Sequence, residues 1–182
     1  MGAVFSSVWT RLFGRKEVRM LILGLDNAGK TTILHRLHSG EVVPTVPTIG
    51  FEVETVTIRN VKIQVWDLGG QSSIRPYWRC YASNTSGLVY VVDASDKERL
   101  AEAGQELKVL LQEHELNQVP LLVLANKQDL PDVVSANKVS EILGLAEISD
   151  REFFIAACSA LKGAGIQEGL DWLIDRMVSE AV

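Results

Sequence analysis

The stretch GLDNAGKT, Gly24–Thr31, matches the pattern G-x-x-x-x-G-K-[ST] and decides the fold. An apolar, β-rich run precedes it, and a segment with helical spacing follows it. In that context the glycines turn backbone N–H groups towards phosphate oxygens, and the start of the helix adds positive potential. Lys30 is then predicted to reach the terminal phosphates, and the Thr31 hydroxyl to bind Mg²⁺. A glycine-rich turn without a ligand is the alternative, and the strand-to-helix context disfavours it.

Strand patterns and helix patterns alternate along the rest of the chain. The β-rich runs are EVRMLILGL, FEVETVTI, VKIQVWD, GLVYVVDAS, VPLLVLAN and FFIAACS, with a turn predicted at Arg59-Asn60 between the second and the third. Six such runs with helices between them predict an α/β fold, a mostly parallel six-stranded sheet with helices on both faces. Ligands of such sheets bind at the carboxyl ends of the strands.

Three helices have recognisable ends or faces in the sequence. Gly40 is predicted to end the helix that follows the phosphate loop. Ser95 and Glu98 fit a capping box, which predicts a helix start there, with Leu100, Leu107 and Leu111 facing inwards. The last helix is predicted to bury Ile166, Leu170, Leu173, Ile174 and Met177.

Composition indicates one globular domain. The chain has 182 residues, of which 47% are apolar and 23% are charged. No apolar run approaches the length of a membrane span. Cys80 and Cys158 are far apart and form no metal-ligand pattern, so they are predicted to be buried or idle thiols in a reducing compartment. The three histidines match no zinc spacing.

The stretch WDLGGQ, Trp66–Gln71, ends the third β-rich run. A carboxylate at a strand end is well placed to hold Mg²⁺ through water, so Asp67 is assigned to the metal. The Gly70 amide is predicted to meet a γ-phosphate, and Gln71 to orient the attacking water. Thr48, in the loop before the hairpin, is predicted to offer Mg²⁺ a second hydroxyl. Plain turns are the alternative for both segments.

The stretch NKQD, Asn126–Asp129, predicts which base is bound. Guanine presents an N1–H and an exocyclic amine, and the Asp129 carboxylate can accept from both. Adenine lacks this pair of donors and would leave the carboxylate unpaired. A site built around these hydrogen bonds therefore rejects adenine strongly. The Lys127 stem is predicted to lie against the base, and Asn126 to tie this loop to the phosphate loop. Within Cys158–Ala160, a backbone N–H is predicted for guanine O6.

The complete set of predicted sites is large. The residues assigned to GTP are Gly24, Leu25, Asp26, Asn27, Ala28, Gly29, Lys30, Thr31, Thr32, Thr45, Thr48, Gly70, Asn126, Lys127, Asp129, Ser159 and Ala160. Gln71, Lys30 and Thr48 are assigned to catalysis. Thr31, Thr48 and, through water, Asp67 are assigned to Mg²⁺.

The motifs resemble those of the Ras superfamily and, within it, the Arf and Arf-like GTPases. The resemblance rests on GLDNAGKTTIL, PTIGFEVETV, VWDLGGQSSIRPYW, VVDASDKERL and LANKQDLP, and covers essentially the whole chain. The stretch IRPYWRCY is most similar to the Arf-like protein 1 branch. The resemblance implies a P-loop NTPase fold of the Ras-like G-domain type, with GTP/GDP cycling and Mg²⁺. The residues themselves, through the Asp26 carboxylate and the lack of an arginine just before Thr48, predict slow GTP hydrolysis without an activating protein.

The resemblance further implies partners and a place of action. It implies a guanine nucleotide exchange factor, a GTPase-activating protein and effectors such as Golgi tethers. The chain is then cytoplasmic, is recruited reversibly to Golgi and trans-Golgi membranes in the GTP state, and acts in vesicle trafficking. An aromatic cluster for effectors is implied at Phe51, Trp66 and Tyr81, where core packing is the alternative. We expect a monomer.

Residues 1–16 are predicted to be a membrane arm in front of a G domain at residues 17–182. The start MGAVFS fits an acceptor for myristate at Gly2. The stripe Val4, Phe5, Val8, Trp9, Leu12 and Phe13 covers one face of a predicted amphipathic helix. Nearby basic residues suit anionic lipid and do not suggest nucleic acid. The stripe can also pack in a groove on the body, and the resemblance implies this for the GDP form.

Two features bear on the chemistry and the switch. Asp26 places a carboxylate in the phosphate loop, which is expected to repel a γ-phosphate or crowd a catalytic arginine. No arginine precedes Thr48 closely, so an activating protein is expected to supply one. The hairpin has few large side chains at Val53, Thr55 and Thr57, so a two-residue register slip would keep each side chain on its face. A metabolic P-loop enzyme, such as a nucleotide kinase, and a GTP-binding scaffold with negligible hydrolysis are the alternative functions.

Overall fold

A computed structural model describes most of the chain, namely residues 17–40, 45, 48–59 and 61–179. The predicted arm at residues 1–16, with its helix and the Gly2 acceptor, lies outside the described residues. Among the described residues, no helix has the length and apolar character needed to cross a bilayer.

One sheet of six strands forms the centre of the molecule. The strands are β1 Glu17–Leu23, β2 Phe51–Ile58, β3 Val61–Leu68, β4 Gly87–Asp93, β5 Leu121–Asn126 and β6 Phe153–Ala157. Their order across the sheet is β2-β3-β1-β4-β5-β6. Only the β2–β3 pair is antiparallel among these neighbours. The predicted mostly parallel six-stranded sheet is therefore confirmed.

Helices cover both faces of the sheet. They are α1 Lys30–Ser39, α2 Leu100–Leu110, α3 Ala136–Leu143 and α4 Ile166–Ser179, with 3₁₀ turns at Arg75–Tyr81, His114–Leu116 and Leu145–Glu147. Alternate side chains of the strands point to opposite faces. One face packs against α2 and α3, and the other against α1 and α4. The predicted inward residues of α4 are all buried.

The predicted capping box of α2 is wrong. The helix begins at Leu100 after Arg99, and no side chain caps it. Ser95 instead donates its hydroxyl to Asp93 Oδ1 at 2.6 Å. The same carboxylate oxygen, at the end of β4, also accepts the Ser95 backbone N–H, so both groups of Ser95 are held by Asp93. Leu111 lies just past the end of the helix and is half-buried, but it packs against the core as predicted. By contrast, α1 ends at Gly40 with φ 75°, as predicted.

The β2–β3 hairpin is confirmed and forms one edge of the sheet. Its register runs from the pair Phe51–Leu68 to the pair Ile58–Val61. Along β2 only Val56 is fully buried, while Val53 is 40% exposed. Few side chains of β2 therefore hold this strand in one register.

Candidate nucleotide-binding site

The phosphate loop lies between β1 and α1, at the carboxyl edge of the sheet. Gly24 has φ 143°, and a Cβ there would lie 2.2 Å from the carbonyl oxygen of Val91, so only glycine fits. Lys30 Nζ donates to the carbonyls of Gly24 and Leu25 at 2.9 and 2.8 Å. Burial lowers the pKa of Lys30 to about 8, against the opposing charges of nearby carboxylates. The phosphate loop thus encloses the buried ammonium group of Lys30.

Three oxygen-bearing side chains predicted for Mg²⁺ meet beside Lys30. Thr31 Oγ1 donates to Asp67 Oδ2 at 2.6 Å and lies 2.9 Å from Thr48 Oγ1. Asp67 Oδ1 is buried, and no hydrogen-bond partner for it occurs among the described residues. Burial raises the pKa of Asp67, although the Thr31 hydrogen bond opposes the shift. An unpartnered buried carboxylate oxygen beside two hydroxyls is a donor set that suits Mg²⁺.

The loop after β3 closes onto the phosphate loop. The Asp26 backbone N–H donates to the Gly70 carbonyl at 3.1 Å. The 3₁₀ turn at Arg75–Tyr81 supports this contact, because Trp78 Nε1 donates to the Gly69 carbonyl at 3.0 Å and Arg75 Nε donates to the Gly70 carbonyl at 2.8 Å. The loop is therefore held in contact with the phosphate site.

A cavity of about 360 Å³ opens over these groups. Its lining residues are Asp26, Asn27, Gly29, Lys30, Thr31, Thr32, Thr45, Thr48, Gly70, Gln71 and Lys127. The structure thus brings Gln71 and Thr48 to the same space as Lys30. Thr45 also lies 3.4 Å from the Thr32 hydroxyl. In the described part of the chain no arginine lines this cavity.

Asn126 joins the two loops at the other end of the site, as predicted. Its Nδ2 donates to the Ala28 carbonyl at 2.8 Å, and its Oδ1 accepts the Ala160 backbone N–H at 2.8 Å. Asp129 accepts a short hydrogen bond from the Ser159 hydroxyl. The Ala160 N–H, one of the amides predicted for guanine O6, therefore already has a partner within the protein.

Lys127 and Asp93 form an ion pair at the same edge, with Nζ 2.6 Å from Oδ2. Burial opposes the charged form of Asp93, but hydrogen bonds from Lys127 and Ser95 outweigh it and lower the pKa of Asp93. This pair holds the Lys127 side chain along the rim of the cavity.

The Asp26 carboxylate is paired rather than free. Arg99 Nη1 lies 3.1 Å from its Oδ1, and the guanidinium of Arg75 lies 3.5 Å from the same oxygen. Arg75 is 8% exposed and also contacts Glu102 and Glu106. These arginines reduce the expected repulsion of a γ-phosphate by Asp26. Neither arginine was predictable from the sequence, because no spacing rule links them to the phosphate loop.

The three predicted aromatic residues contact one another, but only Phe51 is exposed, while Trp66 and Tyr81 are half-buried and also pack against the core. Ring centroids lie 5.6 Å apart for Phe51 and Trp66, 5.3 Å for Phe51 and Tyr81, and 6.0 Å for Trp66 and Tyr81. Phe51 is 50% exposed. Arg19 lies over the Trp66 ring at 4.0 Å and donates to the Tyr81 carbonyl at 2.7 Å. The cluster is therefore a braced, partly exposed apolar surface.

Fold and site together define a small GTP-binding protein with a Ras-like G domain. A sequence model of the ADP-ribosylation factor family matches residues 5–177. The chain belongs to this family, so it is a GTP-binding switch that hydrolyses GTP. Both the kinase and the non-hydrolysing scaffold are thereby set aside. Members of the family interact with exchange factors, activating proteins and effectors.

Relatives support the assignment along nearly the whole length. The chain is 59% identical over 181 residues to ADP-ribosylation factor-like protein 1 of Saccharomyces cerevisiae, covering 99% of both chains. It is 54% identical over 179 residues to ADP-ribosylation factor 1 of Brassica rapa subsp. pekinensis, covering 98% of both. A solved structure of the Arl6 BBS3 small GTPase from Trypanosoma brucei, with the bound nucleotide analogue GppNp, has a TM-score of 0.84 and 32% identity. That match covers 90% of this chain and 99% of the other.

Proposed function

We propose that the chain is recruited to Golgi membranes in its GTP state and there recruits effectors for vesicle trafficking. One observation carries the proposal: Thr48 and Gly70, at the two ends of the β2–β3 hairpin, both lie at the phosphate site. The hairpin between them carries Phe51 and Trp66 of the aromatic cluster. A group that binds both ends therefore fixes the surface that partners contact.

The roles of the nucleotide-site residues belong to the same proposal. Thr31, Thr48 and Asp67 would hold Mg²⁺, which neutralises phosphate charge when it is bound. Lys30 would contact the terminal phosphates, while Gln71 positions water. At the base end, Asp129 would accept from the N1–H and amine of guanine. The contacts of Lys30, Thr31, Asp67 and Asp129 and the position of Gln71 in the cavity lining support these roles.

The arm provides membrane attachment in this proposal. One acyl chain on Gly2 anchors only marginally, so the apolar stripe and its basic neighbours supply the second signal. We infer that the stripe is stowed against the body with GDP and is released with GTP. A two-residue slip of the hairpin would link the two events, and the sparse burial along β2 supports that movement.

Flotation of the acylated protein with liposomes tests the proposal. We expect binding to anionic vesicles with a non-hydrolysable GTP analogue and little binding with GDP. Phe5→Ala combined with Trp9→Ala should weaken it, while Val109→Ala, which shortens an apolar side chain that is 60% exposed on α2, should not. Equal flotation in both nucleotide states would contradict the switch. The position of the tagged protein relative to Golgi markers then tests the membrane itself.

A further inference from the structure

Arg36 connects the phosphate-binding helix to the loop after β6. It lies in α1, and its Nε donates to the Ala160 carbonyl at 2.7 Å while its Nη2 donates to the Leu161 carbonyl at 2.6 Å. These partners are 124 and 125 residues away along the chain. A Cβ at Gly163 would lie 2.7 Å from Nη1 of Arg36, so the glycine leaves space for the guanidinium. The contact is therefore bidentate: two nitrogens of Arg36 donate to two carbonyls of the loop, and Gly163 leaves room for the guanidinium.

A chain of hydrogen bonds leads from this contact to the base-binding carboxylate. The carbonyl and N–H of one trans peptide point in opposite directions. The Leu161 carbonyl faces Arg36, and the Lys162 N–H of the same peptide donates to Ser159 Oγ at 3.0 Å. Ser159 Oγ in turn donates to Asp129 Oδ1. The position of this peptide therefore fixes the hydroxyl that orients Asp129.

We propose that Arg36 is a positioning residue for guanine recognition, acting on Asp129 through the Leu161–Lys162 peptide and Ser159. The inference rests on the proposed role of Asp129 as the acceptor for guanine. It does not depend on membrane recruitment. Arginine suits the position because its planar fork reaches two carbonyls at once, whereas an ammonium group is a single point of contact.

Dissociation rates of GDP and of inosine diphosphate test this role. Inosine lacks the 2-amino group, so the ratio of the two rates reports how well Asp129 meets that group. We expect Arg36→Ala to release GDP about ten-fold faster and to bring the two rates closer together. Arg36→Lys should lie between the wild type and Arg36→Ala. Lys138→Ala, which removes an exposed cation paired with Glu141 at 2.6 Å, is the matched control and should change neither rate.

Ser159→Ala gives a second way to break the same connection, and it leaves the Arg36 contacts in place. If the connection operates, the effects of Arg36→Ala and Ser159→Ala on the rate ratio are less than additive. Equal acceleration of both nucleotides by Arg36→Ala, or no change, would overturn the inference, because Arg36 would then merely brace the loop or do nothing.

Asp129→Ala separates the role of Arg36 from the role of Asp129. If Asp129→Ala loses the difference between the GDP and inosine diphosphate rates while Arg36→Ala keeps it, only the role of Arg36 is wrong. If Asp129→Ala leaves the ratio of the two dissociation rates unchanged, the proposed role of Asp129 itself is wrong. Thermal unfolding of every variant in excess GDP distinguishes altered recognition from loss of the fold.

Discussion

The backbone N–H of Asp26 donates to the carbonyl of Gly70 at 3.1 Å, which joins the phosphate loop directly to the segment after β3. The two backbones are in close contact, because a Cβ at Gly70 would lie 2.3 Å from the Asp26 nitrogen. Backbone atoms cannot yield as a flexible side chain can. The closure of this segment thus depends on the absence of a side chain at Gly70.

Gly70→Ala should therefore prevent this closure. We expect a marked loss of affinity for GTP and a smaller change for GDP, which lacks the γ-phosphate that the Gly70 amide is proposed to meet. Equilibrium titrations with both nucleotides measure the two affinities. Gly40→Ala is a control for adding a methyl group at a glycine outside the site, because no atom lies within 4 Å of the added Cβ there, and its φ of 75° makes it the more strained backbone position of the two. Equal losses for GTP and GDP in Gly70→Ala would count against the assignment.

Arg99→Ala should lower the affinity for GTP relative to GDP. It removes one of the cations that neutralise Asp26, so the carboxylate repels the extra phosphate charge more strongly. For a partly exposed pair we expect a change of about two- to five-fold. The double variant with Asp26→Asn should regain the lost preference, as measured by competition between the two nucleotides. If Arg99→Ala is equally harmful with or without the carboxylate, the charge explanation is wrong.

Unaided GTP hydrolysis should be slow. Gln71 lines the cavity, but no arginine does so in the described part of the chain, and an arginine supplied to a transferring phosphate accelerates such reactions greatly. Single-turnover phosphate release should rise by a factor on the order of 10³ or more with a suitable activating protein. Gln71→Leu should abolish most of that stimulation. Rapid turnover by the protein alone would refute the need for an outside arginine.

Asn126→Ala should destabilise the protein and speed nucleotide release. The side chain is 1% exposed, and its loss leaves the Ala28 carbonyl and the Ala160 N–H without their partner. Two unsatisfied buried groups cost about 2–4 kcal/mol in the free energy of unfolding. Denaturant unfolding with and without GDP measures this loss. Asn117→Ala, on an exposed turn, is the control, and a similar loss there would show that the effect is not specific.

Alkylation of the folded protein should occur at Cys80 alone. Cys80 is exposed, whereas Cys158 is buried and its burial raises the pKa of its thiol to about 12. A raised pKa leaves little thiolate at about pH 8, so Cys158 should react only after unfolding. Intact-mass measurement after iodoacetamide treatment counts the modified thiols. Two modifications in the native state would mean that Cys158 is accessible.

The sheet was predictable because its strands are short apolar runs bounded by turn residues, such as LLVLAN before the NKQD loop. The phosphate loop, Asp67 and Asn126 were predictable because each lies at or just past the carboxyl end of a strand. The start of α2 was mispredicted, since Ser95 has a nearer acceptor in Asp93 than the helix backbone. A local sequence pattern does not show which of two acceptors, Asp93 or the helix backbone, a serine side chain will bind.

The arginine contacts could not be predicted from local spacing. Arg36 meets carbonyls in a loop more than a hundred residues further along the chain, and any loop offers carbonyls. Arg99 belongs to the segment where the capping box was predicted, and its pairing with Asp26 depends on how α2 packs on the sheet. Such contacts exist only once the tertiary fold has formed, whereas the motifs can be recognised in the sequence alone.

Trp66 and Asp67 are neighbours on β3, and successive side chains of a strand point to opposite faces. The indole belongs to the aromatic cluster on one face, and the carboxylate contacts Thr31 on the other. The proposed Mg²⁺ ligand and the proposed partner surface are therefore neighbouring residues, so a displacement of this one strand would move both together.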